Sequence, residues 1–300
     1  MDLELDDDQV ALRDGIAALL AGRFPTERTR GGFDRAMFDE LGAAGVFSLR
    51  ADGFGWADAA IVFEQLGRSC VPGPLVGCLL AGEGVTGVVE RARPTWIEHL
   101  AELESLYVLD GDQVARVDPR LIDAKAAAWP LDPITPVTRV DELPDGDAVA
   151  VDAAAWRRVG AALTAAFQLG LADRMTEVAV AYAHQRVQFD RPIASFQAIK
   201  HICADMLTRT EVARAAVYAA AAHLDAPDLD GLDRSVSTAK IVAGEAAIAN
   251  GRAATQVHGG MGYTWEIDVH LFLKRAWALD TQFGSADVHA DRIGAGLGPG

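Results

Sequence analysis

Several features are scarce in this chain or missing from it, and each absence narrows the function. Basic residues are outnumbered, with 27 Lys and Arg against 43 Asp and Glu and a formal net charge of -16. Nucleic acids and anionic membranes need basic partners, so this charge argues against both. No run of about 18 apolar residues occurs, which predicts that no segment spans a membrane. The acidic opening MDLELDDDQV lacks the pattern of a leader and predicts a cytoplasmic protein.

Cysteine and recognisable cofactor motifs are scarce as well. Cys70, Cys78 and Cys203 are odd in number and lack metal-ligand spacing, which fits a reducing compartment better than a disulfide framework. There is no P-loop and no G-x-G-x-x-G between a strand and a helix. No Ser-His-Asp or Cys-His set follows from spacing. Three histidines on predicted helices lack a second ligand four residues on and are interpreted as structural or solvated: His184, His201 and His223.

Residues 1–88 show helical periodicity and predict an N-terminal helical domain. After an acidic first turn, apolar residues form one stripe: Val10, Leu12, Ile16, Leu19 and Leu20. The stretch FDRAMFDELGAAG predicts a second helix that ends at Gly42 or Gly45. The stretch WADAAIVFEQLGRSC predicts a third helix, which ends before the stop signal VPGP.

Residues 89–152 predict a reduced β subdomain. The stretch SLYVLDGDQVARVD places two β-rich runs around Asp110-Gly111, which is a hairpin signal. Prolines leave room only for short strands in the rest of this zone: Pro130, Pro133, Pro136 and Pro144.

Residues 153–300 predict a C-terminal four-helix bundle. A helix of more than 30 residues without proline begins near Ala153 and gives way at RPIAS. Ser195 is expected to cap the next helix. Two further helical stretches follow, one ending at QVH and one running through IDVHLFLKRAWALDTQ. Long helices with short connections favour an antiparallel bundle. The fold class is therefore mainly α.

Two stretches closely resemble signature regions of the acyl-CoA dehydrogenase family of flavoproteins. The first is YAHQRVQFDRPIASFQAIKHICADM, residues 182–206, and the second is QVHGGMGYTWEIDVHLFLKRA, residues 256–276. The family has an Arg-x-x-Phe turn before a long helix, and later Gln-x-x-Gly-Gly-x-Gly. The N-terminal stretch LGAAGVFSLRADGFGWADAAIVFEQLGRSCVPGPL is similar to the family's first helical domain. The resemblance covers the chain in order, from the first helices through the β domain to the bundle.

The resemblance implies a cofactor, FAD, which in the family lies at a subunit interface and is reached by the neighbour's bundle. Arg186 would pair with the pyrophosphate and Gln256 would hydrogen-bond the cofactor. Gly259 and Gly260 would allow a close approach of the backbone. The full set of implied cofactor-binding residues is Arg186, Gln188, Phe189, Phe196, Gln197, Gln256, Gly259 and Gly260.

Each of these residues also has a plain structural interpretation. Gly259 can end a helix, Arg186 can be a solvated cation at a helix end, and Phe189 and Phe196 can belong to the core. Any one of these interpretations is favoured for the residue alone. The occurrence of all these residues together in the two motifs favours the cofactor site.

The chain also departs from the family. Members are usually longer, and the motifs that cradle the flavin ring have no counterpart in residues 89–152. The family's catalytic glutamate would fall in Gln282-Phe283-Gly284-Ser285, and its alternative position near Val159-Gly160-Ala161, where there is no carboxylate. Asp280 and Asp287 lie nearby but outside the family register. The catalytic residues are therefore unknown.

Three hypotheses stay open. The first is a shortened, base-less subunit of an α2β2 acyl-CoA dehydrogenase of the actinobacterial steroid type. It would share a flavin site with a second subunit, take an acyl-CoA substrate and pass electrons to an electron-transfer flavoprotein. The second is a non-catalytic structural homologue that binds no flavin. The third is a homodimeric enzyme with Asp280 or Asp287 as an unusual base.

Overall fold

The N-terminal part of the chain is helical, as predicted. The computed structural model describes residues 4–227 and 230–297. Asp6 caps the first helix by accepting the Gln9 N–H at 2.8 Å, and the Gln9 side chain accepts the Asp6 N–H in return. The helices of this part are α1 Asp7–Arg23, α2 Thr26–Thr29, α3 Arg35–Ala43, α4 Trp56–Arg68 and α5 Leu75–Ala81.

The predicted apolar stripe of α1 faces inward. Ile16 and Leu20 are buried, and Leu12 and Leu19 pack against the same core. The short helices α2 and α5 were not expected from the sequence. The stretch VPGP predicts the end of the third helix, but its last residue, Pro74, is also the residue just before α5 begins. Proline is tolerated at the beginning of a helix because the first N–H groups have no partner within the helix.

The middle of the chain forms small sheets with short strands. The strands are β1 Thr86–Glu90, β2 Thr95–Glu98, β3 Ser105–Asp110, β4 Gln113–Val117, β5 Val137–Val140 and β6 Asp147–Val149. One sheet has the order β1-β3-β4-β6, and β2 pairs with β5. The predicted hairpin is confirmed, since β3 and β4 are joined by Gly111 and Asp112, with Gly111 at a φ of 56°. The division of the chain at residues 88 and 152 stays a prediction.

The C-terminal part confirms the predicted bundle. Its long helices are α6 Ala153–Gln185, α7 Gln197–Asp225, α8 Leu232–His258 and α9 Val269–Asp280. A last helix, α10 Ala286–Gly296, packs on α8 and was not predicted. Its N-cap is Ser285, whose side chain accepts the Val288 N–H at 3.4 Å. Within the described residues, no helix is both long and apolar enough to cross a membrane.

Two glycines let α4 and α6 approach each other closely. A Cβ built on Gly67 would lie 2.8 Å from the carbonyl carbon of Phe167. A Cβ built on Gly170 would lie 2.7 Å from the backbone nitrogen of Arg68 and closer still to the carbonyl oxygen of Glu64. Backbone therefore meets backbone at this crossing, which joins the N-terminal helices to the bundle.

A buried glutamate, Glu64 of α4, lies at the same crossing of α4 and α6. The Glu64 side chain is 2% exposed; it accepts from Arg214 of α7 and from the Tyr218 hydroxyl at 2.7 Å. Burial raises the pKa of Tyr218, and the nearby Glu64 charge adds to that rise. Arg214 also lies 3.3 Å from Asp173 of α6. The network ties α4 to two bundle helices.

Candidate functional site

The two motifs singled out in the sequence meet at one end of the bundle. The rings of Tyr182, near the end of α6, and His258, the last residue of α8, stack with centroids 4.1 Å apart. His258 is buried and its Nδ1 lies 2.8 Å from the Ala254 carbonyl oxygen. Burial lowers the pKa of His258, so the neutral ring is favoured in this stack. The contact brings the ends of α6 and α8 together.

Exposed cations collect at this end. The Arg186 N–H closes α6 by donating to the Tyr182 carbonyl at 2.8 Å, and its guanidinium is exposed. Arg191 and Lys200 are exposed nearby in the chain. None of these three side chains forms an ion pair with any residue in the described part of the chain. On a chain with a net charge of -16, unpaired cations at one end favour an anionic ligand.

A tight hairpin between α6 and α7 presents an aromatic ring to the surface. Strands β7 Val187–Gln188 and β8 Arg191–Pro192 pair, with Phe189 and Asp190 as the turn. Phe189 and Asp190 have φ angles of 53° and 60°. A bulky residue in the left-handed region is an outlier that costs free energy. Phe189 is nevertheless 84% exposed, so burial of its side chain within this chain does not explain that backbone.

The beginning of α7 adds a second ring. The Arg191 guanidinium carbon lies 4.1 Å above the Phe196 ring, and the Phe189 and Phe196 centroids are 6.0 Å apart at 79°. Gln197 is the first residue of α7 and is exposed. The expected cap at Ser195 is wrong. Ser195 closes a short 3-10 turn, Ile193–Ser195, so that Phe196 takes the N-cap position and no side chain caps the helix.

The end of α8 presents Gln256 and the double glycine to the surface. Gln256, Gly259 and Gly260 are all exposed. Gly259 has φ 61° and ψ -139°, a conformation that residues with a Cβ rarely adopt. The backbone conformation of Gly260 does not require glycine, and a Cβ built there meets no atom within 4 Å. Nothing in the described chain requires glycine at 260, which is consistent with a neighbour outside the chain.

All eight residues predicted for the cofactor are thus at the same end of the bundle, on three adjoining stretches. The sequence reasoning missed three exposed neighbours, Arg191, Tyr263 and Trp265, of which the last two are 80% and 63% exposed. A signal for the aromatics was available, because both lie within five residues after the double glycine. The Lys274 ammonium lies 5.2 Å from the centre of the Trp265 ring. Exposed aromatic rings and cations of this kind are suited to a ligand with rings and phosphates.

The two family positions for a catalytic base also meet, far from this end. A Cβ built on Gly160 of α6 would overlap the ring of Phe283, with Cζ at 2.6 Å. Phe283 has a left-handed φ of 55°, and its carbonyl oxygen lies 3.2 Å from Nε2 of His289. An aromatic ring therefore packs against a glycine at the two positions where the resemblance predicts a catalytic base.

Whether Asp280 or Asp287 acts as an unusual base stays a hypothesis, and the two residues lie in different surroundings. Asp287 is exposed on the first turn of α10. Asp280 ends α9 beside Lys240, whose ammonium donates to the carbonyl oxygens of Leu279 and Asp280 at 3.2 Å and 3.0 Å. Burial lowers the pKa of Lys240 to about 8, opposed by the Asp280 charge. The Lys240 ammonium thus closes the end of α9 through backbone carbonyl groups rather than through the Asp280 carboxylate.

The chain is similar to known proteins over most of its length. The family model described as "Acyl-CoA dehydrogenase, C-terminal domain" matches residues 145–298. The acyl-CoA dehydrogenase IpdE2 of Mycobacterium tuberculosis is 32% identical over 298 residues, covering 90% of this chain and 91% of that protein. The likeness therefore extends across both chains, including the β region.

Two solved structures share the fold. In the ChsE4-ChsE5 complex from Mycobacterium tuberculosis, one chain superposes with a TM-score of 0.82 at 21% identity, with 100% of both chains covered. The Tcur3481-Tcur3483 steroid ACAD superposes with a TM-score of 0.82 at 18% identity, covering 97% of this chain and 98% of that one. Both likenesses extend over nearly the entire fold.

Proposed function

Because the chain belongs to the acyl-CoA dehydrogenase family, we propose that it is one subunit of an FAD-dependent enzyme that dehydrogenates a CoA thioester between its α and β carbons. The observation that carries the proposal is the bundle end, where unpaired cations, exposed rings and an unobstructed glycine adjoin. These residues fit the cofactor of the family, FAD. When bound, FAD would supply the acceptor for the hydride that leaves the β carbon.

The residues at the bundle end have distinct parts in holding the cofactor. Arg186 would pair with the pyrophosphate, since its guanidinium is exposed and has no partner in the described chain. Gln256 would supply a hydrogen bond, and the backbone at Gly260 would admit the ligand where a side chain would stand in the way. Phe189 and Phe196 would offer apolar faces beside it.

A second chain would complete the site. Removal of the α-proton needs a group within hydrogen-bond reach of it. The two family positions for that group are Gly160 and Phe283, so the base would belong to the partner. The similar ChsE4-ChsE5 structure is a complex of two different chains, which supports a second subunit here, in the α2β2 arrangement that the family resemblance implies. The steroid ACAD among the similar structures supports a bulky or steroid-derived acyl group. Electrons would leave through an electron-transfer flavoprotein.

The proposal is tested by flavin retention. We expect the chain to purify alone with little FAD, and to hold FAD after co-expression with a second acyl-CoA dehydrogenase subunit. Arg186→Ala should then lower flavin occupancy, because removal of one partner of a buried charge pair costs about 2–5 kcal/mol. The matched control is Arg93→Ala, which removes another exposed arginine, one that pairs with Glu142 in the β region. Flavin-to-protein ratios come from visible absorbance of the purified complex.

Three outcomes would contradict parts of the proposal. Full flavin occupancy of the lone chain would refute the shared site. Equal flavin loss in both arginine variants would contradict a specific role of Arg186 in binding the cofactor. A co-purifying pair without flavin and without acyl-CoA dehydrogenation would favour the non-catalytic homologue.

A further inference from the structure

A groove of about 640 Å³ lies between the helices α1, α4, α6 and α7. The volume is within the range of about 300–1,000 Å³ that is usual for small-molecule sites. On α6, Asp173 lines the groove and lies about 20 Å from Arg186 and about 20 Å from Gly160, at a rise of about 1.5 Å per residue. The groove is therefore separate from the bundle end and from the family positions for a catalytic base.

Most of the charge in the groove is already paired within the chain. A network of arginines and carboxylates crosses its walls, formed by Arg68 and Arg214 with Glu64, Asp173 and Glu211. Arg13 of α1 is different, because within the described residues it pairs only with Asp14, whose side chain is 64% exposed. An exposed ion pair contributes little to stability, and a guanidinium has more N–H donors than one carboxylate fills. Arg13 can therefore bind a further anion.

Gln65 of α4 is a buried polar residue on the wall of the groove. It is 6% exposed, and its side-chain amide forms no hydrogen bond within the part of the chain that the structure describes. Burial of an amide without a hydrogen bond is unfavourable, and buried polar groups in folded proteins nearly always have a partner. The amide can both donate and accept, so another amide group is a suitable partner for it.

Arg13 and Gln65 are close to the same level along their helices. The Gln9 amide nitrogen of α1 lies 3.0 Å from a carboxylate oxygen of Asp58 of α4. Both helices continue from this contact into the groove, α1 to Arg13 and α4 to Gln65. Arg13 is one turn beyond Gln9 and Gln65 is two turns beyond Asp58, so the two are offset by roughly 5 Å along the helix axes. A small ligand can therefore contact both side chains.

We propose that this groove binds an N-acylated amino acid, either free or at the carboxyl end of a polypeptide, with its amide group on Gln65 and its carboxylate on Arg13. In such a ligand the amide nitrogen and the carboxylate are attached to the same carbon, which matches the short offset between the two residues. The apolar part of the wall consists of Leu5, Ala17 and Ala215, which suits an aliphatic side chain. The proposal does not depend on flavin binding.

The probe is N-acetyl-leucine, titrated by calorimetry into the full chain. Two analogues each lack one recognised group, since N-acetyl-leucinamide has no carboxylate and 4-methylpentanoate has no amide. We expect each analogue to bind at least about tenfold more weakly than N-acetyl-leucine. N-acetyl-alanyl-alanyl-leucine distinguishes the two sources of the ligand. Tighter binding than that of N-acetyl-leucine would identify a polypeptide end, and equal or weaker binding would identify a free acylated amino acid.

Two variants test the two contacts separately. Gln65→Met removes the amide and keeps a long side chain, so it should weaken N-acetyl-leucine binding about fivefold without lowering the thermal midpoint. Arg13→Gln should weaken N-acetyl-leucine binding about tenfold and leave N-acetyl-leucinamide binding unchanged. Arg23→Gln is the matched control, because Arg23 is an exposed arginine of the same helix and does not line the groove. Ala215→Phe is the blocking control, since Ala215 is exposed on the wall of the groove, and it should abolish binding.

Circular dichroism establishes that each variant is folded, and the two analogues test the site without any substitution. The proposal is overturned if N-acetyl-leucine shows no saturable binding to wild type, or if folded Ala215→Phe binds it as well as wild type. Equal affinity for N-acetyl-leucine and N-acetyl-leucinamide would refute recognition of the carboxylate by Arg13. A lower thermal midpoint of Gln65→Met with unchanged affinity would show a structural role of Gln65 and refute the amide contact. Flavin retention by the two-chain complex is measured separately, so failure here leaves the proposed function standing.

Discussion

The close crossing of α4 and α6 makes a quantitative prediction for Gly170→Ala. The new Cβ would lie 2.7 Å from the Arg68 backbone nitrogen and 2.9 Å from the Gly67 carbonyl carbon. Both contacts are with backbone, so the two helices would have to separate. Overpacking of this kind costs typically about 1–3 kcal/mol, and a rigid backbone contact belongs at the upper end of that range. Alanine returns roughly 1 kcal/mol of helix propensity. The expected net loss is therefore about 2 kcal/mol.

Gly15→Ala is the matched control, since Gly15 is an exposed residue inside α1 and a Cβ built there meets nothing within 4 Å. This variant should gain about 0.5–1 kcal/mol from helix propensity alone. The two glycine substitutions are thus expected to have opposite signs.

Thermal unfolding followed by circular dichroism measures both variants. A loss of about 2 kcal/mol corresponds to a fall in Tm of roughly 4–8 °C for Gly170→Ala, and Gly15→Ala should raise Tm slightly. A Tm for Gly170→Ala equal to or above that of wild type would show that the helices are not held in backbone contact. A loss in both variants would show that the helix-propensity reasoning fails here.

Three further predictions concern charged groups. Glu64→Gln should lower the free energy of unfolding, measured in urea titrations, by about 2 kcal/mol. The loss is smaller than the roughly 3–5 kcal/mol for breaking a fully buried ion pair, because Arg214 keeps some access to water. An unchanged urea midpoint would contradict this prediction. For Lys240, the folded pKa of about 8 is below the roughly 10.4 of an unfolded lysine. As the pH rises, Lys240 therefore loses its proton in the folded protein before it does so in the unfolded chain. Between pH 8 and about 10, wild type should gain stability relative to Lys240→Met by on the order of 1.4 kcal/mol per pH unit. Parallel profiles of stability against pH for the two proteins would refute this prediction. Asp280→Asn and Asp287→Asn should each change flavin bleaching in a single turnover of the complex by less than about tenfold, since loss of a true base costs about 10²–10⁴-fold. A larger drop with flavin still bound would assign the base to this chain.

Periodicity and local signals were sufficient for most of the helical framework. The long helices α6, α7 and α8 were predicted because their segments are rich in alanine, which has the highest helix propensity, and contain no proline to interrupt them. The hairpin at Asp110-Gly111 was predicted because its turn chemistry is local. The helix α10 was missed, although Ser285 followed by Asp287 is a standard beginning of a helix.

The features that depend on long-range contact could not be predicted. Arg275 and Asp132 are 143 residues apart in the chain, so nothing local connects them. The same holds for the contact between Gly160 and Phe283, although both had been identified separately as family positions. The left-handed backbone of Phe189 had no signal either, because residues that favour that conformation are usually Gly, Asn or Asp.

The crossing of α4 and α6 also has a consequence for how the chain folds during synthesis. The apolar face of α4 includes Phe63 and Leu66, and both are buried in the finished protein. The helix α6 packs on α4, and its Gly170 leaves the ribosome about 100 residues after the end of α4. At about 5–20 residues per second, this face stays uncovered for roughly 5–20 s. During that interval the part of α4 that α6 buries is open to solvent, and it offers chaperones an apolar surface to bind.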